Sequence, residues 1–407
     1  MARAAGREPS AFPGSARRGR VAGRTGGGDP HRAGRGSEPD RSRARPYAPM
    51  RKLDPWLLLA ALAISVGSYL AQGSTAKALA TPGFANRQIV WLAVGGVLII
   101  LFAFTDYRVL ARLSPLLYVA SIGVLAAMFV VAPVRAGTHR WLLFGSFTVQ
   151  PSDFARIATI LAVAALAGEH RKDLLDLRTV ARLAVMVGLP ALLVLAQPDL
   201  GTAVTFGPIL LAALWLGGLP WRAWVGLALA GLVVVGCAWF WVLRPYQQER
   251  ILTFVDPDRA PYSSGYQQRQ SKIAVGSGEV TGKGLQSGTQ SQLRFLPAQY
   301  TDFIFAVWAE ETGFVGSALL LAAYALLVYR VFVIALAARD RVGAIFAGCA
   351  GAVLGTQILV NVGMVTGLAP TTGITLPLLS YGGSSVVATC IVLGILQSIW
   401  RLRYANI

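Results

Sequence analysis

The amino-acid sequence predicts an all-α polytopic integral membrane protein with ten transmembrane helices, both termini cytoplasmic and one long extracytoplasmic loop before the eighth helix. Three observations carry this. Of 407 residues, 55% are hydrophobic and only 14% charged, where a soluble globular domain carries about 25% charged residues. The apolar residues come in ten runs comparable in length to the hydrocarbon core of a bilayer. The net charge of +18 sits between those runs and in a tail, as topology demands.

Residues 1–49 hold 11 Arg and 4 acidic residues but no Leu or Ile. No apolar period exists there from which a core could form, so disorder is expected. The segment lacks the apolar stretch and cleavage site of a secretory signal. It also lacks the aromatic interleaving of a nucleic-acid arm, so no nucleic-acid partner is expected. We read it as a dispensable tail, with Met50, followed by Arg51-Lys52 and the first apolar run, as an alternative translation start. Residues 50–407 form the membrane domain.

The apolar runs fall near 55–72, 87–105, 115–133, 154–168, 179–196, 201–217, 223–243, 303–329, 342–363 and 384–400. Several contain Gly or Pro, which membrane helices tolerate. The short loops on one side carry Arg51-Lys52, Arg108, Arg112, Arg171-Lys172, Arg178, Arg182, Arg222, Arg339, Arg341, Arg401 and Arg403. Those on the other side hold little beyond Lys77, Arg87, Arg135 and Arg140. The basic side, and with it both termini, is therefore expected to be cytoplasmic. The loop at 244–301 faces outward by this count. A connection of that length without structure is uncommon, and its mixture of Tyr, Ser, Gln and Gly with apolar residues predicts that it folds. Cys237, Cys349 and Cys390 stand singly in apolar runs, as inert thiols do, and no zinc pattern is present.

Ionisable residues inside a membrane are costly and mark functional sites. Asp153, Asp199 and Asp302, with Glu310 and Glu311, concentrate on the outward side. Asp302 falls where the long loop re-enters the membrane, in LPAQYTDFIFAVWAEETGF (296–314). Two readings compete: a helix N-cap, or a partly desolvated carboxylate with raised proton affinity, suited to general-base work. Glu310 lies two turns deeper, about 12 Å along the axis, which argues against a two-carboxylate glycosidase. Glu310 and Glu311 fit either a helix partner or a polar cavity. Arg269, Lys272, Lys283 and Arg294 make the loop positive, and its glycines let backbone N–H groups approach an anion. GSGEVTGKG (276–284) is not a P-loop, because no Ser or Thr follows Gly-Lys. An anion met outside the cell at a membrane is most simply a lipid phosphate. The Gly- and Pro-containing stretch GLAPTTGITLPLLSYGGSS (367–385) is expected to be re-entrant or cavity-lining, or else a plain hairpin. Gln357 and Asn361 make the helix end before it polar.

Four blocks, in order along residues 50–407, carry a resemblance: RWLLFGSFTVQPSD (140–153), QPDLGTA (197–203), GTQSQLRFLPAQYTDFIFAVWAEETG (288–313) and GLAPTTGITLPLLSYGGSS. Together they resemble the signature blocks of the SEDS (shape, elongation, division and sporulation) family, with TQSQL more like the elongation than the division member. The resemblance implies a peptidoglycan glycosyltransferase that polymerises lipid II into β-1,4 glycan, with inversion, at the outer face of the cytoplasmic membrane. It implies Asp302 as the essential acid. Asp153, Gln197, Asp199, Glu310 and Ser380 within the blocks, and Arg156 three residues beyond the first, are the implied substrate-binding residues. Arg269, Lys272 and Lys283 are the candidates for meeting the departing pyrophosphate, with a divalent cation near Asp302 as a further possibility. Where members of the family usually carry Glu and Lys, this chain has Asp153 and Arg156, keeping charge but altering reach. The implied partners are a class B penicillin-binding protein and membrane lipids. Two other readings stay open: a lipid II flippase or other lipid transporter, and a non-catalytic scaffold for the penicillin-binding protein.

Overall fold

The computed structural model describes residues 52–80, 83–132, 140–144, 147–170, 174–259 and 264–404. The tail expected at 1–49 lies outside them. Helices α1 (Pro55–Ala78), α2 (Gly83–Phe104) and α3 (Tyr107–Val131) are followed by a hairpin of β1 (Leu142–Phe144) and β2 (Phe147–Val149). Then come α4 (Pro151–Glu169), α5 (Leu177–Ala196), a span broken into α6 (Leu200–Val204) and α7 (Gly207–Gly217), and α8 (Trp221–Cys237), continued by a π-helical turn over 238–242. The long loop folds into α9 (Pro245–Val255), α10 (Ser264–Ser277) and the short α11 (Thr289–Gln292). Helices α12 (Ile304–Ala337), α13 (Arg341–Thr366) and α14 (Gly383–Leu402) complete the chain. Counting α6 with α7 as one, ten spans are long and apolar enough to cross a membrane. The hairpin is the only departure from an all-α fold among the described residues.

Aspartates start many of these helices. Asp54, Asp106, Asp176, Asp199 and Asp340 each accept a bond from a backbone N–H in the first turn of α1, α3, α5, α6 and α13. That satisfies donors which the helix itself leaves unpaired. Helices α4, α13 and α14 form the centre, with α2 packed on α14, α3 on α4, and α12 against α1 and α13. Helix α8 buries none of its residues, so its apolar side chains need an apolar medium outside the protein.

The bundle has two different ends. At one, buried Asp54 pairs with Arg330, and Gln397 Nε2 donates to the Asp54 carbonyl at 3.0 Å. Beside them, Asp340 accepts from Tyr107 Oη at 2.6 Å and Arg108 Nε at 3.1 Å. At the other end α1 reaches Glu311 through Ser74, and the loop meets α12. Here α12 is interrupted at Gly313, whose φ of +67° and ψ of −162° are not helical. The loop repairs the interruption. Phe314 N and Val315 N donate to Glu279 O (2.9 Å) and Val280 O (3.1 Å), while Lys283 N and Gly284 N donate to Glu310 O (3.1 Å) and Glu311 O (3.0 Å). Backbones approach so closely that a Cβ on Gly282 would collide with Glu311 O.

Candidate active site

The site is assembled at this second end from segments far apart in sequence. The β1–β2 hairpin pairs Leu142 with Val149 and so brings its two flanks, Arg140 and Gln150, side by side. Both reach Asp199. Arg140 Nη1 lies 3.6 Å from Asp199 Oδ1, and Gln150 Nε2 donates to Oδ2 at 2.9 Å. Asp199 also caps α6, accepting from Thr202 N at 3.1 Å and Thr202 Oγ1 at 2.9 Å. At 5% exposure it is buried, and three hydrogen bonds and the Arg140 ion pair offset its loss of water.

Helix α9 supplies a second cation. Tyr246 Oη donates to Pro198 O at 2.9 Å, which docks α9 beside the Asp199 block. One turn on, Arg250 crosses the Tyr246 ring at 5.9 Å, and its Nη1 lies 3.5 Å from Thr371 O. Thr371 belongs to the segment 367–382, which leaves α13 through the left-handed Gly367 and runs without helix, largely buried, until α14. Gly373 in this segment (φ +76°) faces the functional groups directly: a Cβ there would sit 3.4 Å from Asp302 Oδ2 and 4.0 Å from Arg250 Nη1.

Asp302 is not a helix cap. The N-cap position of α12 is Phe303, and no side chain caps that end. The carboxylate is instead turned into the site, where it lies against Gly373 and the charges of Arg140 and Arg250 reach it. Burial raises its proton affinity above that of an ordinary aspartate. Thr301, Arg140 and Arg250 oppose the rise, and Asp199 adds to it. A carboxylate held this way accepts a proton more readily than one in water. Its charged neighbours are Arg140, Arg250 and Asp199, and among the described residues no cluster of three His, Cys, Asp or Glu could hold a metal ion.

Residues 54–405 match the family model for cell cycle proteins of the FtsW, RodA and SpoVE type. The chain belongs to that family. Among its FtsW/RodA/SpoVE relatives, the peptidoglycan glycosyltransferase MrdB of Escherichia coli (strain K12) is 40% identical over 354 residues, 86% of this chain and 94% of that protein. Stage V sporulation protein E of Bacillus subtilis (strain 168) is 35% identical over 321 residues, 78% of this chain and 87% of that protein. Two solved structures share the fold. A chain of a peptidoglycan synthase complex aligns with a TM-score of 0.75 at 34% identity, covering 87% of this chain and 99% of that one. The rod shape determining protein RodA of Thermus thermophilus aligns at 0.63 and 32%, covering 87% and 98%. As a member of this family with ten spans, the protein is a multi-pass protein of the bacterial cytoplasmic membrane.

The residues singled out from sequence separate into groups. Asp302 and Asp199 come together, linked through Arg140. Asp153 and Arg156 pair with each other at 3.1 Å deeper in the bundle, where Arg156 Nη1 also donates to Thr205 Oγ1 at 3.1 Å, and both line a cavity with Gln357 and Thr389. The Gln197 amide donates to Leu125 O at 2.8 Å and fastens α5 to α3. Ser380 is bound inside the protein, accepting from Leu376 N and donating to Thr301 O. Lys283 is held by Glu310 (2.9 Å), Ser277 and Thr289, and Glu310 also caps the start of α11 through Gln290 N and Ser291 N. Arg269 pairs with Asp258 near the surface, and exposed Lys272 lies across Gly367. The cations that face Asp302, Arg140 and Arg250, were not among the sequence candidates. The hairpin was a readable signal, since LLF and FTV separated by Gly-Ser follow the hairpin pattern.

Proposed function

We propose that this chain is a peptidoglycan glycosyltransferase of the elongation type that polymerises lipid II at the outer face of the cytoplasmic membrane. The observation that carries the reading is the buried Asp302 carboxylate, free of any capping role and set opposite Arg250 at Gly373, in a chain of this family. Asp302 takes the proton from the 4-hydroxyl of the acceptor sugar. The hydroxyl oxygen attacks the anomeric carbon of the donor, the bond to the lipid pyrophosphate breaks, and a β-1,4 linkage forms with inversion. The leaving group departs with the bonding electron pair and gains negative charge. Fixed cations are worth most where charge develops in a water-poor site, and Arg250 and Arg140 are placed for that role.

The basic end holding Asp54, Arg108 and Arg330 is taken as cytoplasmic, which puts Asp302 at the outer boundary, where lipid II is available. A class B penicillin-binding protein is the proposed partner, since polymerised strands need crosslinking and a structural relative belongs to a peptidoglycan synthase complex. The test is a lipid II polymerisation assay with the protein and its transpeptidase partner, comparing wild type with Asp302→Asn. Loss of glycan product is expected. Undiminished product would remove Asp302 from the mechanism, and loss of lipid translocation in vesicles with polymerisation intact would support a transporter.

A further inference from the structure

The turn that carries Asp302 is held by its carbonyl oxygens. Tyr300 O accepts from Gln72 Nε2 of α1 at 3.1 Å and from Tyr381 N at 2.9 Å. Thr301 O accepts from Ser380 Oγ at 2.6 Å. Asp302 O accepts from Asn361 Nδ2 of α13 at 3.0 Å. Three consecutive carbonyls are thus tied to three different parts of the fold, and Asn361 is the tie to Asp302 itself.

Asn361 is fully buried, and its Nδ2 makes a second bond to Ile374 O at 2.7 Å. Ile374 follows Gly373, the residue that faces the Asp302 carboxylate and Arg250. One amino group therefore spans the base and the wall opposite it. The amide orientation is fixed by its partners, because turning it over would aim Oδ1 at two carbonyl oxygens. In the observed orientation Oδ1 is buried without a hydrogen-bond partner among the described residues. An unpaired buried acceptor is destabilising, a cost that an aliphatic residue of similar volume would avoid. The two donated bonds are what the position gains in exchange.

We propose that Asn361 is a positioning residue for glycosyl transfer: its carboxamide, donating to Asp302 and Ile374 together, sets the distance between the Asp302 carboxylate and the Gly373–Arg250 wall. This rests on Asp302 being the base. Preorganisation of this kind matters because displacement of a reacting group by about 1 Å can cost on the order of 10²-fold in rate. It also has a signature that mere folding support lacks. The charged groups reaching Asp302 are Arg140 before β1, Asp199 at the start of α6 and Arg250 on α9. With the tie from Asn361 to its backbone carbonyl lost, Asp302 shifts and its carboxylate changes distance to these groups, so the pH dependence of turnover moves along with the rate.

The test uses the full chain with its transpeptidase partner and lipid II. Asn361→Leu removes both donors at similar volume, and Asn361→Gln keeps the donor group on a longer stem. The expected result for each is a kcat at least tenfold lower, a KM within twofold of wild type, and an acid limb of the pH profile displaced from wild type. Two results would overturn the proposal: wild-type kcat and acid limb, or a loss proportional to the unfolded fraction with the acid limb unmoved. If Asn361→Leu does not fold, Asn361→Gln is judged by the same criteria. Asp302→Asn is run in parallel. If it is inactive while the Asn361 variants behave as wild type, only the positioning role falls. If it polymerises normally, the base assignment falls and the positioning role with it.

Discussion

Gly201 and Thr372 touch so closely that a Cβ on Gly201 would run into the Thr372 carbonyl oxygen. This contact seals the start of α6, with its Asp199 cap, against the segment that carries Thr371 and Gly373. Gly201→Ala should push that segment outward and away from Arg250. The expected outcome is a destabilisation of about 1–3 kcal/mol, read as a lower unfolding temperature in detergent, with polymerisation reduced at least tenfold.

Asp302 must be ionised to accept a proton, and burial raises its proton affinity. Turnover should therefore rise with pH through a limb that lies above the ordinary aspartate range, and fall as pH drops through it. Stability has the opposite sign. The folded state holds the Asp302 proton to higher pH than the unfolded state does, so this group's contribution declines as pH rises from the unfolded to the folded titration range. Asp302→Asn removes the burial of charge. It should unfold at a temperature no lower than wild type at pH 8, while losing polymerisation by at least about 10²-fold.

Arg250 faces Asp302 and is the cation nearest the Gly373 wall. Arg250→Ala should lower kcat at least tenfold. Because Arg250 favours the ionised form of Asp302, its loss should also move the acid limb of the pH profile further upward. Arg250→Lys keeps the charge without the planar fork and is expected to restore the limb more fully than the rate. A pH series on the two variants separates these effects.

Glu310 is fully buried and has Lys283 as its ion-pair partner. Lys283→Met should leave that carboxylate without its counter-ion, held only by its hydrogen bonds from α11, and destabilise the protein by about 1–3 kcal/mol. Adding Glu310→Gln to the same chain should recover a large part of the loss. Thermal unfolding of the single and double variants checks this, and no recovery would mean that Lys283 acts elsewhere.

The ten spans were legible because bilayer thickness imposes a run length that survives any detail of packing. Asp302 was legible too, since a carboxylate at the edge of a span stands out, but position alone left a cap open beside the favoured base. Only the start of α12 at Phe303 separates them. The cations facing Asp302 were not legible. Arg269, Lys272 and Lys283 share its loop and its glycines, yet Lys283 answers Glu310 and Arg269 answers Asp258. Arg250 arrives on a helix docked through Tyr246, and Arg140 on a hairpin from another loop. Such encounters depend on tertiary structure, and no local pattern contains them. The break at Gly313 was hidden for a related reason, because a glycine inside an apolar helix ordinarily leaves it intact.

That break makes the long loop and the eighth span inseparable. Residues 279–284 supply hydrogen bonds that the helix gave up around Gly313, so they are interior parts of the span despite lying some thirty positions earlier in the chain. Grafting the loop of a relative onto this protein would leave bare amides and carbonyls inside the span unless residues 309–315 were transplanted with it. Chimaeras of this family should accordingly be joined beyond α12's kink, in the uninterrupted helix toward Ala337, and never at the loop's apparent end.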